Sequence, residues 1–303
     1  GQGFGLGGEW GGAVLLATEN APPGRKNWFG MFPQLGAPVG FLCSSGIFLL
    51  LGNLMSDAQF LQWGWRVPFI ASSALVLVGL YVRLRIEETP EFRRTLERNE
   101  RVGMPMAAVI REHGLTLLLG TFAAVAVFVV FYLMTVFTLS WGTSKLGYTR
   151  QDFLILQMIG VLFFGLTIPL AGWLADRTSP RRILIIASIC MAVYGLAFAP
   201  LLQAGQPGSV LLCLALGLGL MGVGYGPLGA ALASLFPTAV RYTGASLTFN
   251  LAGIIGASLT PYAATWLATR YGLAAVGYYL SIAALLTLGA LLLLRRGSIG
   301  GER

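Results

Sequence analysis

GQGFGLGGEWGGAVLLATENAPPGRK, residues 1–26, is the stretch from which the rest of the chain is read. Glycines recur four apart at Gly3, Gly7 and Gly11, and again at Gly8 and Gly12. On a helix this spacing clears one face of side chains, so that a second helix backbone can approach closely. One acid, Glu9, is set into the stretch with Trp10 beside it. A carboxyl at membrane depth is costly, and such a group is expected to face a polar cavity and to have a task there. Asn20, Pro22, Pro23 and Gly24 end the helix, and Arg25 and Lys26 follow. The reading is a membrane-spanning helix with Glu9 turned to a polar pathway.

The remainder of the chain supports that reading. Of its 303 residues 56% are hydrophobic and only 11% are charged, against about 25% charged in a soluble domain. Residues 27–56, 114–144, 153–175, 242–269 and 271–294 contain no Asp, Glu, Lys or Arg. Residues 183–240 contain none either, and a polar break at QAGQPGS (203–209) divides them. A span needs roughly 20 apolar residues. The fold class expected is therefore an all-α, polytopic membrane protein, with spans near 1–22, 28–54, 64–84, 115–141, 153–175, 183–203, 209–236, 245–269 and 273–294.

A net charge of +8 does not point to nucleic acid, because the charges are sorted by side. With nine spans, sixteen of the twenty Lys and Arg residues fall on one side, and only Arg66, Lys145, Arg150 and Arg270 on the other. The rich side is expected to be cytoplasmic and to hold the C-terminus. Cys43, Cys190 and Cys213 all fall within spans and read as packing residues, so neither a disulfide framework nor a metal site is expected. His113, the only histidine, lies in a charged loop. The pattern GxGxxG at Gly3–Gly8 opens a span with no strand before it, so a dinucleotide site is not expected. With no Ser/His/Asp set and no phosphate loop, the chain reads as a non-enzyme without cofactor.

Between the third and fourth spans lies the one charged segment long enough to be a boundary. It divides residues 1–86, three helices of a first bundle, from residues 115–303, a six-helix bundle with a short tail, through a linker at 87–114. Within the linker, Thr89 and Pro90 open a short helix that Gly103 ends, and a second runs from about Pro105 to Glu112. Polar groups in otherwise apolar spans mark the candidate cavity lining: Gln34 between Pro33 and Pro38, Tyr132 on one face with Thr135, Gln157, Tyr225 among the glycines of the seventh span, and Asn250.

The first two spans repeat in the seventh and eighth. At a shift of 217, Gly5, Gly7, Gly12, Ala13 and Leu15 meet Gly222, Gly224, Gly229, Ala230 and Leu232. At a shift of 216, Arg25, Leu35 and Gly40 meet Arg241, Leu251 and Gly256, and Gln34 meets Asn250. Six spans separate the copies, so they run in the same direction, as in transporters built from two parallel halves. Three spans precede the second copy in its half and none precedes the first. The expectation is a twelve-span parent whose first three spans lie before Gly1.

The run GWLADRTSPRR (172–182) resembles the cytoplasmic gate motif G-x-x-x-D-R-x-G-R-R of the major facilitator superfamily, with Ser179 in place of Gly and Pro180 in place of a basic residue. GGEWGGA (7–13), ATENAP (17–22), FPQLGAP (32–38), WGWRVPF (63–69) and EETPEF (87–92) resemble its metabolite:proton symporter branch. The resemblance implies a monomer in the inner membrane that moves a small organic acid or zwitterionic osmolyte with protons by alternating access. It implies that Glu9 is the proton-coupling carboxyl. It makes Asp176, Arg177, Arg25, Arg241 and Glu19 gate residues: Asp176 caps a neighbouring helix N-terminus, and the arginines pair with Glu19 or Glu88 when the inner side is shut. The alternatives are a truncated chain that does not itself transport, and a channel or sensor on the same fold.

Overall fold

The computed structural model describes residues 2–85, 105–203 and 205–294, all helices and short connections with no strand among them. The first half contributes α1 (Gln2–Glu19), the short α2 (Lys26–Gly30), α3 (Phe32–Leu54), α4 (Asp57–Gln62) and α5 (Val67–Arg85). The second contributes α6 (Pro105–Glu112), α7 (Gly114–Tyr132), α8 (Thr138–Ser144), α9 (Arg150–Arg177) and α10 (Pro180–Gln203). After these come α11 (Pro207–Ser234), α12 (Arg241–Gly253), α13 (Thr260–Tyr271) and α14 (Leu273–Leu293). The expected helix at Thr89–Gly103 and the residue Glu88 lie outside the described residues, whereas Pro105–Glu112 is helical as read.

Two of the long spans are joined through π turns. Leu133–Phe137 connects α7 to α8, and Ile254–Ser258 lies between α12 and α13. Among the described residues eight segments are long and apolar enough to cross a membrane, not the nine expected. The one that falls short is α1. It is an 18-residue helix, but its glycines, Glu9 and terminal Gln2 and Glu19 dilute its apolar content.

In lipid, tails are as apolar as leucine, so helices associate through close backbone approach and polar contacts. Both are present. A Cβ on Gly11 would collide with Ser246 of α12, and one on Gly12 would touch Tyr242, so the glycine face of α1 receives α12 as its spacing implies. The other glycine-rich helix, α11, sits at the centre. A Cβ on Gly226 would lie 2.5 Å from the Ile168 carbonyl of α9, and one on Gly229 would press on Val14 and approach Gln34 of the first half. The repeat copies thus pack crosswise: the glycine helix of each meets the second helix of the other.

Polar contacts tie α14 to its neighbours, with Ser281 Oγ donating to the Ala192 carbonyl (2.7 Å) and Thr287 Oγ1 to that of Phe122 (2.7 Å). Phe137, Phe153, Phe164, Phe198, Leu214 and Leu218 form the fully buried centre of the second half. Outward, Leu75, Val76, Leu77 and Val78 of α5 are all exposed, as on a helix turned to lipid. Gly272, at φ 83°, makes the reversal between α13 and α14 in a conformation open to glycine.

The sorting of loops into two ends is visible in contacts. Arg181 Nε donates to the Leu291 carbonyl (3.1 Å), and Asp176 meets α2, so the arginine-rich connections share one end. At the opposite end the Tyr148 hydroxyl donates to the Gly205 carbonyl (2.7 Å).

Candidate functional site: the seam between the two halves

Along the seam α3 runs antiparallel to α9. Met31 faces Gly172, Pro38 faces Gly165, Gly46 faces Met158 and Gly52 faces Gln151. Residue numbers rise by six to eight on one helix as they fall by seven on the other, which keeps one face of each in register through the span.

The arginine-rich end of the seam is closed by Asp176. Its Oδ1 accepts from the backbone N–H of Asn27 (2.8 Å) and from Asn27 Nδ2 (3.0 Å), and its Oδ2 accepts from the backbone N–H of Trp28 (2.9 Å). These N–H groups belong to the first turn of α2, which has no intrahelical acceptor for them, and the carboxylate also meets the positive end of the helix. Beside this cap, Arg241 Nη1 lies 3.5 Å from Glu19 Oε1, joining α12 to α1. Two gate residues behave otherwise. Arg177 stacks its guanidinium 4.0 Å above the ring of Trp173 on its own helix. Arg25 is an exposed residue just before α2 whose backbone N–H donates to the Pro22 carbonyl.

Deeper in the seam a polar chain crosses three helices. Trp10 Nε1 donates to Gln34 Oε1 (2.9 Å), and Gln34 Nε2 donates to the Tyr225 carbonyl (3.1 Å). The Trp10 ring lies flat on Phe249, with centroids 3.7 Å apart and planes 11° apart. Phe249 in turn meets Phe128 edge-on at 5.0 Å. An aromatic floor therefore spans the two halves at the level of Gln34. Sequence reading missed the Trp10–Gln34–Tyr225 link. Its members are 24 and 191 residues apart, and the acceptor on α11 is a backbone carbonyl, which no side-chain pattern announces.

The candidate lining residues are placed unevenly. Gln34 and Gln157 are fully buried, with their amides hydrogen-bonded between helices rather than set on a cavity wall. Tyr225 is buried, and Tyr132 and Asn250 are half-buried. Asn250 Nδ2 donates back to the Ser246 carbonyl of its own helix (2.7 Å). Tyr132 and Thr135 were read as sharing an α-helical face, but a π turn begins at Leu133 and changes that spacing. Glu9 is exposed on α1, not enclosed in the packing. A cavity of about 550 Å³ opens instead along α8, lined by Thr135, Val136, Leu139, Ser140, Thr143 and Arg150. None of the five lining residues expected from the sequence is on this wall, although Thr135, expected on one face with Tyr132, is. No cluster of His, Cys, Asp or Glu able to hold a metal occurs among the described residues.

Comparison with known proteins gives this geometry a family. The sequence model of the Major Facilitator Superfamily matches residues 1–257. The chain is 50% identical over 298 residues to the inner membrane metabolite transport protein YhjE of Escherichia coli K12, covering 97% of this chain and 68% of that protein. It is 32% identical over 300 residues to the shikimate transporter of the same organism, covering 96% of this chain and 66% of the relative. Among solved structures it resembles a proton:xylose symporter bound to 6-bromo-6-deoxy-D-glucose, at a TM-score of 0.71 and 16% identity over 92% of this chain and 66% of the other. The chain thus spans about two thirds of the length of each of these proteins.

Proposed function

The chain belongs to the major facilitator superfamily, and we propose that it acts as a secondary active transporter, carrying a small polar metabolite with protons by alternating access. The observation that carries this reading is the seam. Two repeat copies pack crosswise, and polar contacts tie them together: the Asp176 cap and the Glu19–Arg241 pair at the arginine-rich end, and the Gln34–Tyr225 bond deeper in the seam. Such polar contacts are exchangeable for water when one half rocks against the other. Similarity to a metabolite transport protein and to a shikimate transporter supports an organic acid as cargo, with a zwitterionic osmolyte as the alternative.

In this mechanism the arginine-rich end faces the cytoplasm. Glu9, the acid in the first glycine helix, takes up a proton from one side and releases it to the other as the halves rock. A membrane potential of 100 mV contributes about 2.3 kcal/mol per charge moved. At about 1.4 kcal/mol per tenfold, one net positive charge sustains roughly a fifty-fold gradient. Gln34, Tyr225 and Asn250 then change partners between the two states, and the cavity along α8 is part of the aqueous approach.

Uptake of labelled organic acids and osmolytes, with and without a proton gradient, tests the reading. Glu9→Gln is expected to abolish gradient-driven accumulation while leaving exchange of labelled for unlabelled substrate intact. Gradient-driven uptake that survives Glu9→Gln removes the coupling role from Glu9. Flux without counterflow exchange favours a channel on the same fold.

A further inference from the structure

The π turn at Leu133–Phe137 has no helix-breaking residue behind it. LMTVF contains neither proline nor glycine, the usual reasons for a break in the α ladder. Thr135 Oγ1 and Thr138 Oγ1 back-bond to the carbonyls of Phe131 and Met134 within the helix, and a tertiary contact is added to them. Gln157 of α9 is fully buried, and its Nε2 donates to the carbonyls of Met134 (2.8 Å) and Thr135 (2.7 Å), with Thr138 Oγ1 at 3.4 Å. Thr138 Oγ1 adds a second donor to the Met134 carbonyl (2.6 Å). The amide orientation is fixed by chemistry, because the opposite one would set an oxygen against two carbonyl oxygens. The same orientation leaves Gln157 Oε1 buried with no hydrogen-bond partner among the described residues. The donor end holds the carbonyls of two successive residues of the turn.

What it holds is a register. A π turn inserts one residue into the helix, and one residue is worth about 100° of rotation. All that follows, from Thr138 to Ser144, is turned by that angle relative to a continuous α-helix. In the present register Leu139, Ser140 and Thr143 lie on the cavity wall together with Arg150. With an α ladder through 133–137, each later residue would move to the azimuth now held by the next one. Ser140 and Thr143 would then leave the wall.

We propose that Gln157 is a positioning residue of the transport pathway: by pinning the π turn it selects the face of Thr138–Ser144 that meets the cavity. This rests on the transport reading for the cavity's role, but the pin itself is testable without transport. In a chain with Cys43, Cys190 and Cys213 replaced by serine, single cysteines at Val136, Ser140, Thr143 and Arg150 are labelled with a water-soluble maleimide in membranes. Gln157→Met, which keeps the reach and lacks the donors, is expected to slow labelling at Ser140→Cys and Thr143→Cys at least ten-fold, with Arg150→Cys unchanged. Because the π turn carries one extra residue, deleting Val136 in the Gln157→Met background is expected to restore labelling at both sites. General loosening of the helix would not produce that rescue.

Unchanged labelling in Gln157→Met, or no rescue by the deletion, overturns the proposal. If Gln157→Met does not accumulate, deletion of Val136 alone must still leave Ser140→Cys and Thr143→Cys reactive, and loss of labelling there overturns it equally. If Val136→Cys and Arg150→Cys are unreactive in the otherwise unaltered chain, the cavity is not aqueous. The pathway reading then fails, and with it the role proposed for Gln157.

Discussion

Removing the Asp176 carboxylate should open the arginine-rich end of the seam. In the structure it accepts three N–H groups of α2 at 2.8–3.0 Å, two of them backbone groups of Asn27 and Trp28. A hydrogen bond to a charged acceptor contributes about 1.5–3 kcal/mol net, and three bonds to one carboxylate are not additive. For Asp176→Ala the closed seam should lose about 2–4 kcal/mol on these grounds. Because the contact exists only with the halves together, the open-to-closed ratio should rise roughly 30- to 700-fold, at about 1.4 kcal/mol per tenfold. Asp176→Asn keeps an oxygen acceptor but no charge, and should shift the ratio by about half as much on a logarithmic scale. The reporter is Thr18→Cys, a buried site beside Gly30 of α2 where Ala230 of α11 closes in from the other half, in a chain lacking the three native cysteines. Its maleimide labelling rate should follow the open fraction and order as alanine, then asparagine, then aspartate. Arg177→Ala should leave the rate near its starting value, since that side chain stacks on Trp173 of its own helix. If Asp176→Ala labels no faster at Thr18→Cys in a folded protein, the cap does not hold the seam, and the polar contacts around it lose their claim to be a gate.

Two other perturbations bear on the same packing. Gly226→Ala places a Cβ 2.5 Å from the rigid carbonyl of Ile168 and should lower stability by about 1–3 kcal/mol; Gly36→Ala, with nothing within 4 Å, should be neutral or slightly stabilising, and thermal melts of the two purified variants make the comparison. For Glu19 and Arg241, 3.5 Å apart with side chains 10% and 24% exposed, a double-mutant cycle on the same Thr18→Cys labelling rate should yield a coupling of about 1 kcal/mol that shrinks with added salt.

Much was legible in the sequence because it is local. Charge-free runs, turn residues such as Pro23 and Gly24, and the arginine-rich connections each act within a few residues. They fixed the helices, their rough ends and the sorting of loops. The glycine spacing of α1 foretold a close approach, and Gly11 against Ser246 is that approach. The cap at Asp176 was expected only through the family motif it sits in, since the helix it caps lies 149 residues away. Tertiary structure alone decided what the buried amides do. Gln34 and Gln157 look alike in a sequence, each a polar group in an apolar span. One bridges Trp10 to the Tyr225 carbonyl, and the other pins a π turn at Met134 and Thr135. In lipid a buried amide must find partners, and the nearest are backbone carbonyls of helices distant in the chain. Those acceptors are carried by every residue and marked by none, so only the packed fold selects among them.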